Sequence, residues 1–343
     1  MSTSFATAMP AAYSLDLPEA TADVEQNKRN LDEYGLAVHQ ALFTPEQVAV
    51  LLARLKEQAE MEEEQGVAQL SDQSSTSKTW IGRASDGPAE PCWQGIPMLV
   101  NKGRVFIDLG VMNPVLHQYA NHCFKNYPMM LSSMTGLIVK KGATPMVIHS
   151  DQQFVPFPTP TPVYLNMMVC LTDFTEAMGA TRVVPRSHKW NLYPKTTIGP
   201  QGVPINPEPI ETVPVICKAG DVILFESRTW HQSGHSTSDT VRYSFTLLWN
   251  QSWMRPMDDI VQSLHDDVYE SLPVEVRSLL GFRFDAAGRF EPRYPGDRQS
   301  MNRGMPFVPE LTRGGKKKAV PFGNLKAGFT YGYENDAHEK HVK

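Results

Sequence analysis

Residues 211–249 read ETVPVICKAGDVILFESRTWHQSGHSTSDTVRYSFTLLW, and this stretch decides the fold. Apolar runs lie on both sides of a Gly220-Asp221 turn, a polar interval carrying His231 and His235 follows, and a third run, VRYSFTLLW, closes the stretch. Val, Ile, Thr and aromatic residues at this density, broken by turn residues, are strand chemistry. The texture extends back to Leu131 through MTGLIVKKGATP (134–145), YLNMMVCLTDF (164–174) and TRVVP (181–185). Many short strands with no helical pattern between them predict a mainly β fold with flanking helices, an antiparallel sandwich or jelly roll over about 130–250.

Upstream, Thr44-Pro45-Glu46-Gln47 marks a helix start: Thr44 caps, Pro45 suits the first helical position and Gln47 completes a capping box. Val48, Leu51, Leu52 and Leu55 recur at helical spacing and give one apolar face, and MEEEQG (61–66) ends the helix. Residues 66–100 are polar, punctuated by Gly and Pro and dotted with Trp80 and Trp93, and read as a long loop. Downstream, DDIVQSLHDDVYESL (258–272) and PVEVRSLLGF (273–282) turn helical before a polar tail containing RGGKKK. The expected organisation is a flexible arm over 1–25, one principal domain over 26–256, and a helical extension with a polar tail over 257–343.

The 343 residues are 41% hydrophobic and 20% charged, an ordinary globular balance. A formal net charge of −5, from 37 acidic and 32 basic residues, argues against non-specific nucleic-acid binding. No apolar stretch reaches the roughly 20 residues that a membrane helix needs. Residues 1–23 lack a basic n-region and a continuous apolar h-region, so a cytoplasmic location without a membrane span is expected. Cys92, Cys123, Cys170 and Cys217 are far apart and form no C-x-x-C pair, which predicts reduced, mostly buried thiols. The oligomeric state stays open, a homodimer included.

The chemistry concentrates in MVIHSDQQF (146–154). His149 and Asp151 are two apart, so at a strand end they project from one face. An imidazole and a carboxylate side by side supply two ligands for a divalent ion. A third from elsewhere would complete the 2-His-1-carboxylate triad, which leaves coordination positions open for substrate and oxygen. His231 is the preferred third ligand. His235, four residues on in a Ser/Thr-rich turn, and His188, in the loop-like VVPRSH, are its rivals. Arg242 follows His231 by eleven positions within an apolar strand, and a buried arginine needs an anionic partner.

Each piece also has a bland reading. An isolated H-x-D is common, a strand-end histidine is more often hydrogen-bonded than metal-bound, and Arg242 serves equally as half of an internal salt bridge. The ordered set is far more specific: H-x-D, a histidine 80 positions after Asp151, then R-x-S.

IHSDQQF, GATRVVPRSHKW, AGDVILFESRTWHQSG and VRYSF, taken together, resemble the phytanoyl-CoA dioxygenase family of Fe(II)/2-oxoglutarate oxygenases over about residues 30–255. The resemblance implies a double-stranded β-helix, the cupin-like jelly roll, with helices packed on one sheet. It implies that His149, Asp151 and His231 bind iron and that Arg242 anchors 2-oxoglutarate, with Ser233 at a position that contacts the co-substrate. Asn166 lies near another such position. Ser244 shares the Arg242 face, or is simply buried and bonded to backbone. One departure stands out: some relatives carry a glutamine two residues before the first histidine, where this chain has Val147, so Asn166 or Lys102 would have to substitute.

The chemistry so implied uses Fe(II), 2-oxoglutarate and O2, converts 2-oxoglutarate to succinate and CO2, and oxidises a small-molecule substrate, by default through hydroxylation. Residues 66–106, QQFVPFPTPTPVY (152–164) and residues 191–212 are the candidate lid segments, with Trp80, Trp93, Phe154, Phe157 and Tyr164 as pocket walls or scaffold packing. Lacking Lys and Arg, QQFVPFPTPTPVY suggests a largely apolar substrate. A CoA thioester or amino acid would call on Arg83, Lys102, Arg104 or Arg186. The competing class is a cupin-like binding module without catalysis.

Overall fold

The computed structural model describes residues 9–71, 91–199, 204–282 and 308–317. Its strands are β1 (Leu36–His39), β2 (Gln69–Ser71), β3 (Trp93–Ile96), β4 (Met129–Val139), β5 (Tyr164–Cys170), β6 (Arg182–Val183), β7 (Thr197–Ile198), β8 (Pro204–Ile205), β9 (Val213–Pro214), β10 (Val222–Glu226), β11 (His231–Gln232) and β12 (Arg242–Gln251). Its helices are α1 (Val24–Tyr34), α2 (Pro45–Glu64), α3 (Arg104–Phe106), α4 (Pro114–Cys123), α5 (Ile260–Ser263), α6 (Asp266–Ser271) and α7 (Val274–Leu279). Seven strands form the large sheet in the order β1-β10-β5-β12-β4-β3-β2, and β11-β6-β9 form the small one. All pairings within these two sheets are antiparallel.

Alternation along the large sheet sorts side chains into two cores. Leu165, Met167 and Val169 of β5 and Phe245, Leu247 and Trp249 of β12 join Leu51 and Leu55 of α2 and Leu116 and Tyr119 of α4 in one buried cluster. The opposite face sends Met168, Cys170, Ile223 and Phe225 against Val183, Val215 and Cys217 on the small-sheet side. Two facing antiparallel sheets with helices outside the larger one make the expected double-stranded β-helix.

Helix α2 begins as its sequence dictates: Thr44 Oγ1 accepts from Gln47 N at 3.3 Å while Gln47 Oε1 accepts from Thr44 N at 3.0 Å. Gly136 of β4 lets it come close, since a Cβ there would sit 2.6 Å from Leu55 Cδ1. Each large apolar side chain sealed beneath this helix contributes about 1.5–3 kcal/mol.

Three features differ from the sequence reading. Residues 66–100 are not all loop, because Gln69–Ser71 and Trp93–Ile96 add two edge strands beyond β4. Runs of three and four residues are too short to show a period. Helices α1 and α4 were not anticipated, although Asp23 caps the first, and Asn113 caps and Pro114 opens the second. The helical stretch after residue 257 is broken into three pieces by the extended Leu264–His265 and Leu272–Pro273. As expected, Cys92, Cys170 and Cys217 are buried free thiols, and Cys123 is a partly buried one. No helix of the described residues is long and apolar enough to cross a membrane.

Candidate metal centre

His149, Asp151 and His231 come together on the small-sheet side, their ligand atoms all within 4.8 Å of one another. Among the described residues this is the one such group of His, Cys, Asp and Glu. An isolated antiparallel bridge fixes the two histidines: each backbone N–H donates to the other's carbonyl, at 3.0 Å from His149 and 2.9 Å from His231. Asp151 opens a short 3-10 turn, Asp151–Phe154, behind a Ser150/Gln153 capping box. Ser150 Oγ and Gln152 N both donate to Ser227 O, at 2.7 and 3.0 Å, and so tie this segment to the turn between β10 and His231.

Both imidazoles are oriented by their own main chain. His149 Nδ1 donates to Val147 O and His231 Nδ1 to Thr229 O, each at 2.9 Å. That fixes the tautomer and leaves the Nε2 lone pairs free for a ligand role. Both Nε2 atoms face Asp151 Oδ1, at 3.8 Å from His149 and 3.6 Å from His231. Burial, reinforced by the neighbouring His231, lowers the His149 pKa to about 4, so the ring is neutral at physiological pH. Two imidazoles and one carboxylate gathered on one side fit a mid-row divalent cation with positions to spare. The rivals lie elsewhere: His235 Nδ1 is bonded to Ala143 O at 2.9 Å, and His188 Nε2 to Asp32 O at 3.2 Å.

Arg242 opens β12 on the inner face, 2% exposed. Its Nε and Nη1 have no hydrogen-bond partner, and its guanidinium carbon lies 4.6 Å from the centre of the Phe174 ring. Among the described residues no carboxylate pairs with it. Burial lowers its pKa to about 10 despite an opposing contribution from Cys170. A buried guanidinium without an anion is costly, and a ligand carboxylate would relieve it through the paired donors of its fork.

The other residues singled out in the sequence take varied positions. Asn166 Nδ2 donates to Asp151 Oδ2 at 2.8 Å. Ser233 Oγ accepts from Met146 N at 3.2 Å. Ser244 is fully buried and donates to Leu137 O at 3.4 Å, the backbone-bonded alternative. Lys102 does not replace the missing glutamine, because its ammonium is locked 2.7 Å from Glu62, both side chains buried. Trp93 is core beside Val139 and Ala143, and Tyr164 is buried with Val155, Val163 and Leu248. Phe154 and Phe157 are 67% and 61% exposed on the segment that follows Asp151. Arg104 pairs with Asp108 and Arg186 with Glu33. Trp80 and Arg83 lie outside the described residues. Sequence reasoning missed the Asn166–Asp151 bond and Phe174 under Arg242, since neither contact has a sequence spacing to announce it.

The family model for phytanoyl-CoA dioxygenase (PhyH) matches residues 31–244. Dioxygenase af480 of Aspergillus fumigatus is 32% identical over 154 residues, 44% of this chain and 47% of that one. Dioxygenase FUM3 of Gibberella moniliformis is 29% identical over 196 residues, 54% and 62% of the two chains. The matched stretch thus spans less than two thirds of either relative. The epimerase SnoN, solved with Fe3+, alpha ketoglutarate and nogalamycin RO, superposes with a TM-score of 0.50 at 19% identity, covering 68% of this chain and 86% of that one. The carbocyclase SnoK from nogalamycin biosynthesis matches with a TM-score of 0.50 at 18% identity, over 73% and 91%. These two likenesses establish the fold.

Proposed function

This chain belongs to the phytanoyl-CoA dioxygenase family, and from that premise we propose that it is a non-haem Fe(II) oxygenase consuming 2-oxoglutarate and O2. His149, Asp151 and His231 are the metal ligands in this reading, and Arg242 receives the distal carboxylate of 2-oxoglutarate. The observation that carries it is the orphaned Arg242 guanidinium in the same interior as the triad, a cation in want of an anion. A cupin-like binding module for an uncharged ligand would not need that arrangement.

Bound Fe(II) would supply the oxidising chemistry, coupling decarboxylation of 2-oxoglutarate to attack on a substrate carbon. The protein's own residues orient and exclude. Val147 O and Thr229 O hold the imidazoles in one tautomer, Arg242 sets the direction in which the co-substrate lies, and Phe225 packs 4.5 Å from the His231 ring. Ser233 is a further co-substrate contact; Ser244 lines the same strand face.

The substrate we propose is a largely apolar small molecule, oxidised most simply by hydroxylation. Phe154, Phe157 and Trp253 are large exposed apolar groups on segments that flank Asp151 and the end of β12. Lys102, Arg104 and Arg186, the basic residues a phosphate-rich ligand would recruit, each face an acidic partner. The test is release of succinate from 2-oxoglutarate with added Fe(II) in air, with and without a mixed panel of candidate substrates. The expected result is O2- and Fe(II)-dependent succinate, stimulated by apolar polycyclic or lipid-like compounds. Stimulation by CoA thioesters or free amino acids alone overturns the substrate class, and no succinate under any condition overturns the activity.

A further inference from the structure

We propose that Asn166 is a positioning residue that holds Asp151 to one-oxygen coordination of the metal. The inference rests on the reading of the site given above. Asn166 sits at the middle of β5 on the inner face, opposite Phe225 on one side and Leu248 on the other. Its Nδ2 donates to Asp151 Oδ2 at 2.8 Å, while the other oxygen, Oδ1, is the one facing both histidine Nε2 atoms. The amide therefore engages the carboxylate oxygen that the histidines leave alone. An ionised carboxylate only accepts, so the orientation of the amide is fixed by chemistry: its nitrogen must face Asp151.

Coordination number explains why this matters. A six-coordinate ion held by two imidazoles and one carboxylate oxygen keeps three positions open, enough for a chelating 2-oxo acid and O2 together. A carboxylate that swings to bind through both oxygens takes one of those three, and the oxo acid then leaves no place for O2. The main chain of Asp151 is pinned by the Ser150 and Gln152 bonds to Ser227 O. Rotation of the carboxylate about its own axis is what remains to be set, and the Asn166 bond sets it.

A second observation points to a ligand. Asn166 Oδ1 is buried and has no hydrogen-bond partner. An unpaired acceptor at such depth is costly, and water on a divalent cation is a strong hydrogen-bond donor. The two ends of the amide thus have separate tasks, one toward Asp151 and the other toward what the metal carries.

The test uses the full-length protein without oxygen, as wild type, Asn166→Leu and Asn166→Ser. The first variant keeps the volume and deletes the donor; the second guards against a packing failure of the first. Exchangeable water ligands on bound Mn(II) are counted by line broadening of 17O-water. 2-Oxoglutarate is titrated separately into the Fe(II) form by the visible charge-transfer absorption of a chelated oxo acid. The variants are expected to bind Mn(II) within about a hundredfold of wild type, the range for changing a group behind a metal ligand. They should show one water ligand fewer and need at least tenfold more 2-oxoglutarate. Equal water counts in all three proteins, at unchanged melting temperature, overturn the positioning role. Wild type that binds metal but gives no charge-transfer absorption overturns the proposed co-substrate and leaves the water count to judge Asn166.

Discussion

Lys102 and Arg242 are both buried cations, one against the helix side of the large sheet and the other inside the two-sheet interior. Lys102 is matched at 2.7 Å by Glu62, itself held by Gln58 Nε2 at 3.0 Å, and Gln58 also bonds Pro309 O and Leu311 N. Arg242 has an aromatic ring beneath it and no carboxylate. The comparison separates two uses of burial. On the helix side a charge is neutralised within the chain and fastens α2 to the segment 308–317. In the interior a charge is left incomplete, which destabilises the empty protein and reserves binding energy for a ligand.

The largest expected effect removes the purpose of the interior while sparing the helix side. His231→Ala should reduce succinate formation to background, because a three-ligand site loses both affinity and geometry, yet leave urea unfolding nearly unchanged. His235→Ala should retain near-normal turnover. The reverse pattern would move the third ligand to His235 and undo the assignment of the interior.

Next in size is the structural pair. Glu62→Ala removes the carboxylate that sits 2.7 Å from the buried Lys102 ammonium, and about 3–5 kcal/mol of stability should be lost. Urea unfolding of the metal-free protein measures it. If the variant unfolds at the wild-type midpoint, the helix-side pair is no more structural than Arg242 and the contrast collapses.

Arg242 should respond in the opposite sense. Arg242→Met deletes a buried charge that lacks a partner, so the metal-free variant should be as stable as wild type or more so. It should also lose the thermal upshift that 2-oxoglutarate with metal confers on wild type. Arg242→Lys should keep the charge but lose the fork, raising the apparent Kd for 2-oxoglutarate by roughly 10- to 100-fold, the worth of about 1.5–3 kcal/mol for a charge-assisted hydrogen bond. An unchanged Kd would sink the assignment.

How much of this was legible in the sequence follows from the range of each signal. Strand texture, the α2 capping box and the ordered H-x-D, histidine and arginine are local or fixed by chain order, so the sequence alone singles out His149, Asp151, His231 and Arg242. Edge strands of three and four residues are not legible there, because two residues of alternation look like loop. Lys102 was expected near the co-substrate, since its Glu62 partner lies 40 positions away and nothing in either sequence neighbourhood announces the pair. The bond from Asn166 to Asp151 is not legible in sequence, because it depends on β5 register against a loop residue.

Asp258, which feels the Lys102 charge, gives the smallest effect. Burial raises its carboxyl pKa to about 6, against lowering contributions from a Ser133 hydrogen bond, the Met134 backbone and the Lys102 charge. One oxygen, Oδ2, is buried with no partner. An acid whose folded pKa lies above its unfolded value of about 3.9 binds more protons when folded, so ionisation opposes folding. The cost is absent below about pH 4, grows through the window up to about pH 6, and is fully present above it. Asp258→Asn should remove it: the amide oxygen can still accept from Met134 N, and no charge is left to desolvate. Because the residue is partly exposed, the shift is worth on the order of 1 kcal/mol rather than its full nominal value. Urea unfolding at pH 4, 5, 6 and 7 should therefore show the variant gaining on wild type as pH rises and levelling above pH 6. A constant difference across the series would mean that Asp258, like Glu62, is already compensated within the chain, and the helix side would then extend to the edge of β4.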